Sequence, residues 1–258
     1  METLSLGKHN PKLIDMRKAI DHGALTLDGL LPIEGRKLIE EALRSGITID
    51  SVFKRKDSPL PDLPPAIHVY ELDAAVFKTI QSTETSQGVI ALIRPRRFGL
   101  TDLLSAGSPL IVVLARLQDP GNVGTIVRVA ESFGAAGCAA TVGTASPFNS
   151  KTIRASAGSL FRLPHVWDLD RSELFSALRA SYISIVGTSP SADETIMEWD
   201  WRKPSAVVIG NEGGGLSEEE VGLCDTVLRI PQAGAVESLN SAIAAAVIMY
   251  EAYSQRMR

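Results

Sequence analysis

From residue 110 to the C-terminus, short apolar runs alternate with helix-patterned segments, and each run ends in a loop rich in glycine and polar residues. The first run, LIVVLARL at 110–117, is almost uninterrupted by polar residues, as a strand must be when helices cover both faces of a parallel sheet. The pattern then predicts a helix over 122–133, a strand over 138–142, a helix over 172–180, and strands over 183–186 and 206–209. It continues with a helix over 217–223, a strand over 227–230 and a last helix over 238–256. Ser217, with Glu220 three residues on, reads as a capping box opening the helix after 216. Alternation of this kind specifies the α/β class with a doubly wound parallel sheet.

Upstream, the segments are fewer and shorter. A helix over 33–45, a strand over 47–54 and a strand over 66–70 surround a stretch, 58–65, with four prolines in eight residues that cannot be regular structure. They describe a small α/β domain over 1–95. A second break, RPRRFGLTDLLSAGS at 94–108, places a linker at 96–108 and a larger domain over 109–258.

Composition removes several classes. The longest uncharged apolar stretch, near 242–250, is about half of the roughly 20 residues that span a bilayer. The N-terminus METLSLGKHNPK has no apolar signal core. Two cysteines, Cys138 and Cys224, make no disulfide framework, and four scattered histidines make no metal-ligand pair. A net charge of −4 is not that of a basic nucleic-acid binder, but the charge is uneven. Residues 1–98 hold 14 Lys and Arg against 13 Asp and Glu, and residues 99–258 hold 12 against 17. Two basic clusters, Lys54-Arg55-Lys56 and Arg94-Pro-Arg96-Arg97, are either solvated loops or contacts to a phosphate backbone.

The last helix carries no charge from 241 to 250 and so reads as buried all round. In a domain this small the neighbour that covers it is expected to be a second copy of the chain, a homodimer.

Three loops carry the chemistry: LQDPGNVGTIVR at 117–128, IGNEGGGL at 209–216 and IPQAGAVESLN at 230–240. Each follows a predicted strand, and ligands of open α/β sheets sit beyond the carboxyl ends of strands. Singly, each has a plain structural explanation. Asn122 or Ser238 could be helix caps, Gly213-Gly214-Gly215 a flexible turn, and Arg128 an exposed or paired helix residue. No GxGxxG opens the first strand–helix unit and no P-loop occurs.

Together, in order and spacing, NVGTIVR, GNEGGGL and IPQAGAVESLN resemble the three motifs of the SpoU (TrmH) family of RNA ribose 2′-O-methyltransferases, in the SPOUT superfamily. The stretch KTIRASAGSLFRLP at 151–164 is similar to a fourth family pattern. HGALTLDGLLPIEGRKLIEEALRSGITIDSVF and TETSQGVIALI resemble the family's accessory RNA substrate-binding domain. The resemblance implies a C-terminal SPOUT domain whose parallel sheet ends in a deep trefoil knot, which periodicity could not predict. It implies S-adenosylmethionine as cofactor, no metal, and a cytoplasmic enzyme. Carried over position by position, Asn122, Arg128, Glu212, Ser238 and Asn240 fall on active-site residues, and Gly210, Ile230 and Leu239 on positions whose main chain meets the cofactor. Gln232 stands where methionine is common and Ser86 where proline is usual; the first is expected to alter packing and the second to bear only on the linker.

The residue types agree with that chemistry. No histidine or lysine lies in the three motifs, and arginine stays protonated, so Arg128 is expected to clamp an RNA phosphate and stabilise the developing alkoxide while the phosphate takes the proton. Asn122, Ser238 and Asn240 would hold ribose and loops, and Glu212 would organise its loop. Ribosomal RNA is the expected substrate. The alternatives are transfer RNA, or a non-catalytic RNA-binding or ribosome-assembly protein on the same fold.

Overall fold

The computed structural model describes every residue except Met1, Glu2, Ala106 and 235–237. Ala106 of the expected linker and residues 235–237 of the third loop therefore lie outside the described residues. The chain forms two compact units, Met1–Arg97 with Ser146–Arg162, and Phe98–Ala145 with Leu163–Arg258.

The first unit contains β1 (Thr3–Ser5), α1 (Pro11–His22), β2 (Leu31–Glu34), α2 (Arg36–Arg44), β3 (Thr48–Arg55), β4 (His68–Leu72), α3 (Ala74–Phe77) and β5 (Val89–Arg94). Its sheet runs in the order β1-β4-β3-β5-β2, with β5 antiparallel to both its neighbours. Leu13 and Met16 of α1 pack on Phe53, Leu72, Phe77 and Ile90, all fully buried. The helix expected over 33–45 begins only at Arg36, because Ile33 and Glu34 pair with Ala91 and Ile90 and Gly35 turns the chain at φ 105°. The prolines of 58–65 carry no helix or strand, as expected. Ser86 sits in the turn before β5, where its hydroxyl accepts the Gly88 N–H at 3.0 Å, so it bears on this unit and not on a linker.

The second unit opens with α4 (Leu100–Leu104), inside the stretch expected to be a linker; Leu103 is fully buried in this unit's core. Then follow β6 (Leu110–Leu114), α5 (Pro120–Ser132) and β7 (Gly137–Thr141). The chain next supplies α6 (Ser150–Ser156) to the first unit, returning for β8 (His165–Leu169), α7 (Arg171–Ala180), β9 (Ser184–Thr188) and β10 (Glu194–Thr195). The last elements are β11 (Ser205–Ile209), α8 (Glu218–Gly222), β12 (Thr226–Arg229) and α9 (Ser241–Arg256). Seven strands, all parallel, lie in the order β10-β12-β9-β11-β6-β7-β8. Every residue of β6, β7 and β11 is buried, the signature of central strands covered on both faces.

Assigning 146–162 to the first unit sharpens the charge asymmetry. That unit holds 17 Lys and Arg against 13 Asp and Glu, the second 9 against 17. A single linker after residue 95 does not describe this chain, because α6 belongs to the first unit by packing and not by sequence. Arg162 pairs with Glu41, and the Ser146 hydroxyl donates to the Gly23 carbonyl at 2.6 Å.

Two expectations for the last helix are corrected. It begins at Ser241, with Asn240 as its cap, so Ser238 and Leu239 belong to the preceding loop. Nor is it buried all round. Ala245, Ile248, Met249 and Ala252 face the core, whereas Ile243 is 54% and Tyr250 60% exposed.

Candidate active site

Strand order reverses at β6. Its successors β7 and β8 lie to one side, and β11, β9 and β12 to the other. The loops after β6 and β11 therefore flank a topological switch point, where an open parallel sheet leaves a crevice beyond its carboxyl edge.

The loop after β6 leads into α5 through Asp119, whose side chain accepts the main-chain N–H groups of Gly121 and Asn122. Asp119 is thus the cap, and Asn122, on the first turn, keeps its side chain for the neighbouring loop. Its Nδ2 donates to Glu212 Oε1 at 3.2 Å. The Gln118 and Asp119 amides also point at the Glu212 carboxylate, each at 3.3 Å.

The glycine-rich loop after β11 is an ordered turn. Asn211 and Gly215 exchange main-chain hydrogen bonds of 3.1 and 2.8 Å, and Asn211 Oδ1 accepts the Gly213 N–H at 2.8 Å. Gly210 is required by the return of this turn: a Cβ there would stand 2.3 Å from the Gly215 carbonyl carbon. Asn211 Nδ2 ties the turn to the Arg116 carbonyl at 2.9 Å. Partial burial pushes the Glu212 carboxyl up, but the main-chain amides and Asn122 that bond it outweigh this, and its pKa lies below the ordinary glutamate value.

The third loop joins through Asn240. Its Oδ1 caps α9 by accepting the Ala242 and Ile243 N–H groups, while its Nδ2 donates to Asn122 Oδ1 at 3.1 Å. One chain of hydrogen bonds, Asn240 to Asn122 to Glu212, links the three loops. Beside it lies a cleft of about 300 Å³, walled by Gly210, Glu212, Ile230, Gln232, Ser238 and Leu239 among others.

Arg128 stands apart. It is exposed on α5, and among the described residues its guanidinium forms no hydrogen bond or ion pair. Ser238, also exposed, lines the cleft.

Several site residues were not evident in the sequence. Thr188, Ser189 and Pro190 wall the cleft from the end of β9, and their only signal was a polar turn after a strand. Ser241 lies in the same wall, 8% exposed, with a buried hydroxyl that has no partner among the described residues. Glu220 does more than cap α8. It is 1% exposed and also takes a two-pronged bond from Arg116, with Nε at 3.0 Å and an η-nitrogen at 2.6 Å. Burial alone would raise the Glu220 pKa, but Arg116 and Ser217 hold it below the ordinary value. Arg116 adopts φ 56°, a left-handed backbone uncommon for arginine, two residues after the end of β6.

Residues 109–250 match the SpoU rRNA Methylase family and residues 26–91 the MRM3-like substrate binding domain. A 23S rRNA (guanosine(2553)-2′-O)-methyltransferase of Bacillus subtilis is 31% identical over 242 residues, covering 93% of this chain and 95% of that protein. The SpoU methyltransferase AviRb of Streptomyces viridochromogenes superposes with a TM-score of 0.83 at 27% identity, over 96% of this chain and 98% of that one. An AdoMet-bound rRNA methyltransferase of Sinorhizobium meliloti superposes with a TM-score of 0.79 at 28% identity, over 98% of both chains.

Proposed function

The chain belongs to the SpoU rRNA methylase family, and from that premise we propose that it is an S-adenosylmethionine-dependent enzyme that methylates a ribose 2′-hydroxyl of ribosomal RNA. The observation that carries this reading is the Asn240–Asn122–Glu212 chain of hydrogen bonds, which gathers all three family motifs at the mouth of one cleft.

The cleft suits the cofactor. Leu228, Ile230 and Leu239 offer apolar surface for a flat ring, and the 210–215 turn offers main-chain groups unobstructed by side chains at its glycines. The Ser241 hydroxyl in the wall is a polar group without a partner among the described residues. Gly210, Ile230 and Leu239 are the residues we assign to hold it, chiefly through main chain. Bound there, S-adenosylmethionine supplies a methyl group on a positively charged sulfur.

The chain's own residues do the rest by positioning and charge stabilisation. Asn122 and Asn240 use much of their hydrogen-bonding capacity on each other, on Glu212 and on the α9 cap, which assigns them to holding the loops in register. Glu212, kept ionised by its donors, locks the first loop to the second. Arg128 is assigned to clamp an RNA phosphate and stabilise charge developing on the 2′-oxygen, with that phosphate receiving the proton. Ser238 is assigned to hold the ribose.

We extend the proposal to the assembly. Ile243, Val247 and Tyr250 recur at the spacing of one helix face and are exposed, and Tyr250 and Tyr253 pack on Phe133 at the end of α5, with ring centroids 5.8 and 5.9 Å apart. This apolar stripe supports a homodimer. A trefoil knot in the region of the second and third loops, and a cytoplasmic location, complete the proposal; no helix among the described residues is long and apolar enough to cross a membrane.

The test is transfer of labelled methyl from S-adenosylmethionine to separated ribosomal and transfer RNA pools, with Arg128→Ala alongside. Label on ribose in the ribosomal pool, lost in the variant, is the expected result. Label only in the transfer RNA pool would overturn the substrate, and cofactor binding without label in RNA or pre-ribosomal particles would overturn the reaction.

A further inference from the structure

The two basic clusters look equivalent in sequence, three cationic residues each, but the fold treats them differently. β3 and β5 are antiparallel, with Lys54 opposite Val89 and Thr48 opposite Arg94. The clusters therefore lie at opposite ends of one sheet, roughly 20 Å apart at about 3.4 Å per residue.

At the first end one of the three charges is spent locally, while Arg55 and Lys56 form no ion pair among the described residues. Lys54 is half-buried and pairs with Glu71 across the β3–β4 ladder at 3.2 Å, and Asp57 follows directly. At the second end, Arg94, Arg96 and Arg97 are all exposed, and among the described residues none forms an ion pair. Arg96 is held in place by donating to the Ser45 carbonyl at 2.6 Å, a neutral acceptor that leaves its charge uncompensated. The nearby carboxylate Asp50 is bonded by Lys12 at 3.1 Å and by the Ser51 hydroxyl at 2.9 Å, and acts on Arg94 only through space. Two left-handed glycine turns face the arginines. A Cβ built on Gly29 or Gly46 would stand 3.8 Å from an η-nitrogen of Arg97 or Arg96, so these guanidiniums lie over bare main chain. The unit that carries them has an excess of cationic side chains, whereas the other unit has an excess of carboxylates.

Resting on the proposed RNA methylation, we infer that Arg94, Arg96 and Arg97, at the β5 end of the first unit, form the main electrostatic grip on the substrate's sugar–phosphate backbone, ahead of the Lys54–Lys56 cluster, whose Lys54 is already paired. The three arginines lie outside the residues that match the substrate-binding domain family, so that match does not assign them. Their planar donors suit phosphate oxygens, and among the described residues none of the three is in an ion pair.

The experiment measures affinity for protein-free ribosomal RNA against salt concentration, using the full chain. Each phosphate contact adds about 0.7 to 0.9 to the slope of log K against log salt. Arg94→Gln/Arg96→Gln/Arg97→Gln is expected to lower that slope by about 2 to 3 and to weaken binding at 0.1 M salt by roughly tenfold or more. Arg94→Gln/Arg97→Gln, which spares the Arg96–Ser45 bond and its structural role, is expected to lower it by about 1.5 to 2. Both variants should bind S-adenosylmethionine as the parent protein does. Lys54→Gln/Arg55→Gln/Lys56→Gln should lower the slope by clearly less than the triple-arginine variant does, by about 1.5 at most. An unchanged slope in the double-arginine variant, or an equal loss in the lysine-cluster variant, would overturn the inference. Failure of the parent protein to methylate any RNA would instead count against the proposed reaction, which the salt slope does not measure.

Discussion

Asn240 and Asn122, 118 residues apart, are joined by a 3.1 Å hydrogen bond from Asn240 Nδ2 to Asn122 Oδ1. Because Asn240 Oδ1 also caps α9 and Asn122 Nδ2 also holds Glu212, one amide pair sets the start of the last helix against the first and second loops. Asn240→Ala removes both functions. It should cost about 1 kcal/mol of stability for the lost cap, measured by denaturant unfolding, and should lower methyl transfer by at least about tenfold. Asn240→Asp keeps the capping acceptor but not the donor. Its stability should stay near the parent's while transfer falls.

Among the described residues the Arg128 guanidinium has no hydrogen bond or ion pair to lose. Arg128→Ala should leave the melting temperature within the small range of ordinary surface substitutions and S-adenosylmethionine affinity unchanged by calorimetry. Turnover should drop by about 10²- to 10³-fold, as when one preorganised donor to a developing oxyanion is removed. Near-normal turnover would remove Arg128 from the mechanism.

Gly210→Ala places a methyl group against main chain, not against a pliable side chain. The 210–215 turn must move, while β11 and the core beneath it stay packed. Far-ultraviolet circular dichroism should be unchanged, and the dissociation constant for S-adenosylmethionine should rise at least about tenfold, equivalent to about 1.4 kcal/mol.

The Arg116–Glu220 bond makes an acid-sensitive contribution to stability. The folded pKa of Glu220 is depressed, so its contribution is fully present above the unfolded value, 4.5, and is lost as pH falls through the folded one. Arg116→Met removes the partner and should be destabilising at pH 7, by about 1.5 to 3 kcal/mol for a hydrogen bond to a charged group. The gap between parent and variant should shrink in urea unfolding as pH falls below 4.5. A gap independent of pH would mean that Arg116 acts through its left-handed backbone and not through Glu220.

The exposed stripe on α9 predicts the assembly state. Val247→Glu puts a charge at the centre of Ile243, Val247 and Tyr250. Analytical ultracentrifugation at micromolar concentration should show a dimer for the parent chain and a monomer for the variant. A monomeric parent would dismiss the homodimer.

How much of this was legible in the sequence follows the range of the interactions. The capping box at Ser217 and Glu220 and the unstructured proline segment are local features and appear as read. The first strand of the second unit begins as read at Leu110 but ends at Leu114, before the left-handed Arg116. The boundaries that moved did so where a distant partner decided them. Ile33 and Glu34 joined a strand because β5 pairs with them, and α4 became part of the second unit because Leu103 is buried there.

The sequence alone determined the fold class and the main alternation of strands and helices after residue 110, since apolar periodicity and turn residues act over a few neighbours, and its three motifs identified the loops that matter. Shorter elements such as β2, α4, α6 and β8 were not read from it. Only the tertiary structure decided that Asp119 caps α5 so that Asn122 is free for Glu212, that α6 serves the first unit, and which arginines form no ion pair among the described residues. These depend on hydrogen bonds and ion pairs between residues tens to more than a hundred positions apart. Short-range pattern carries no record of which partner is nearest in space.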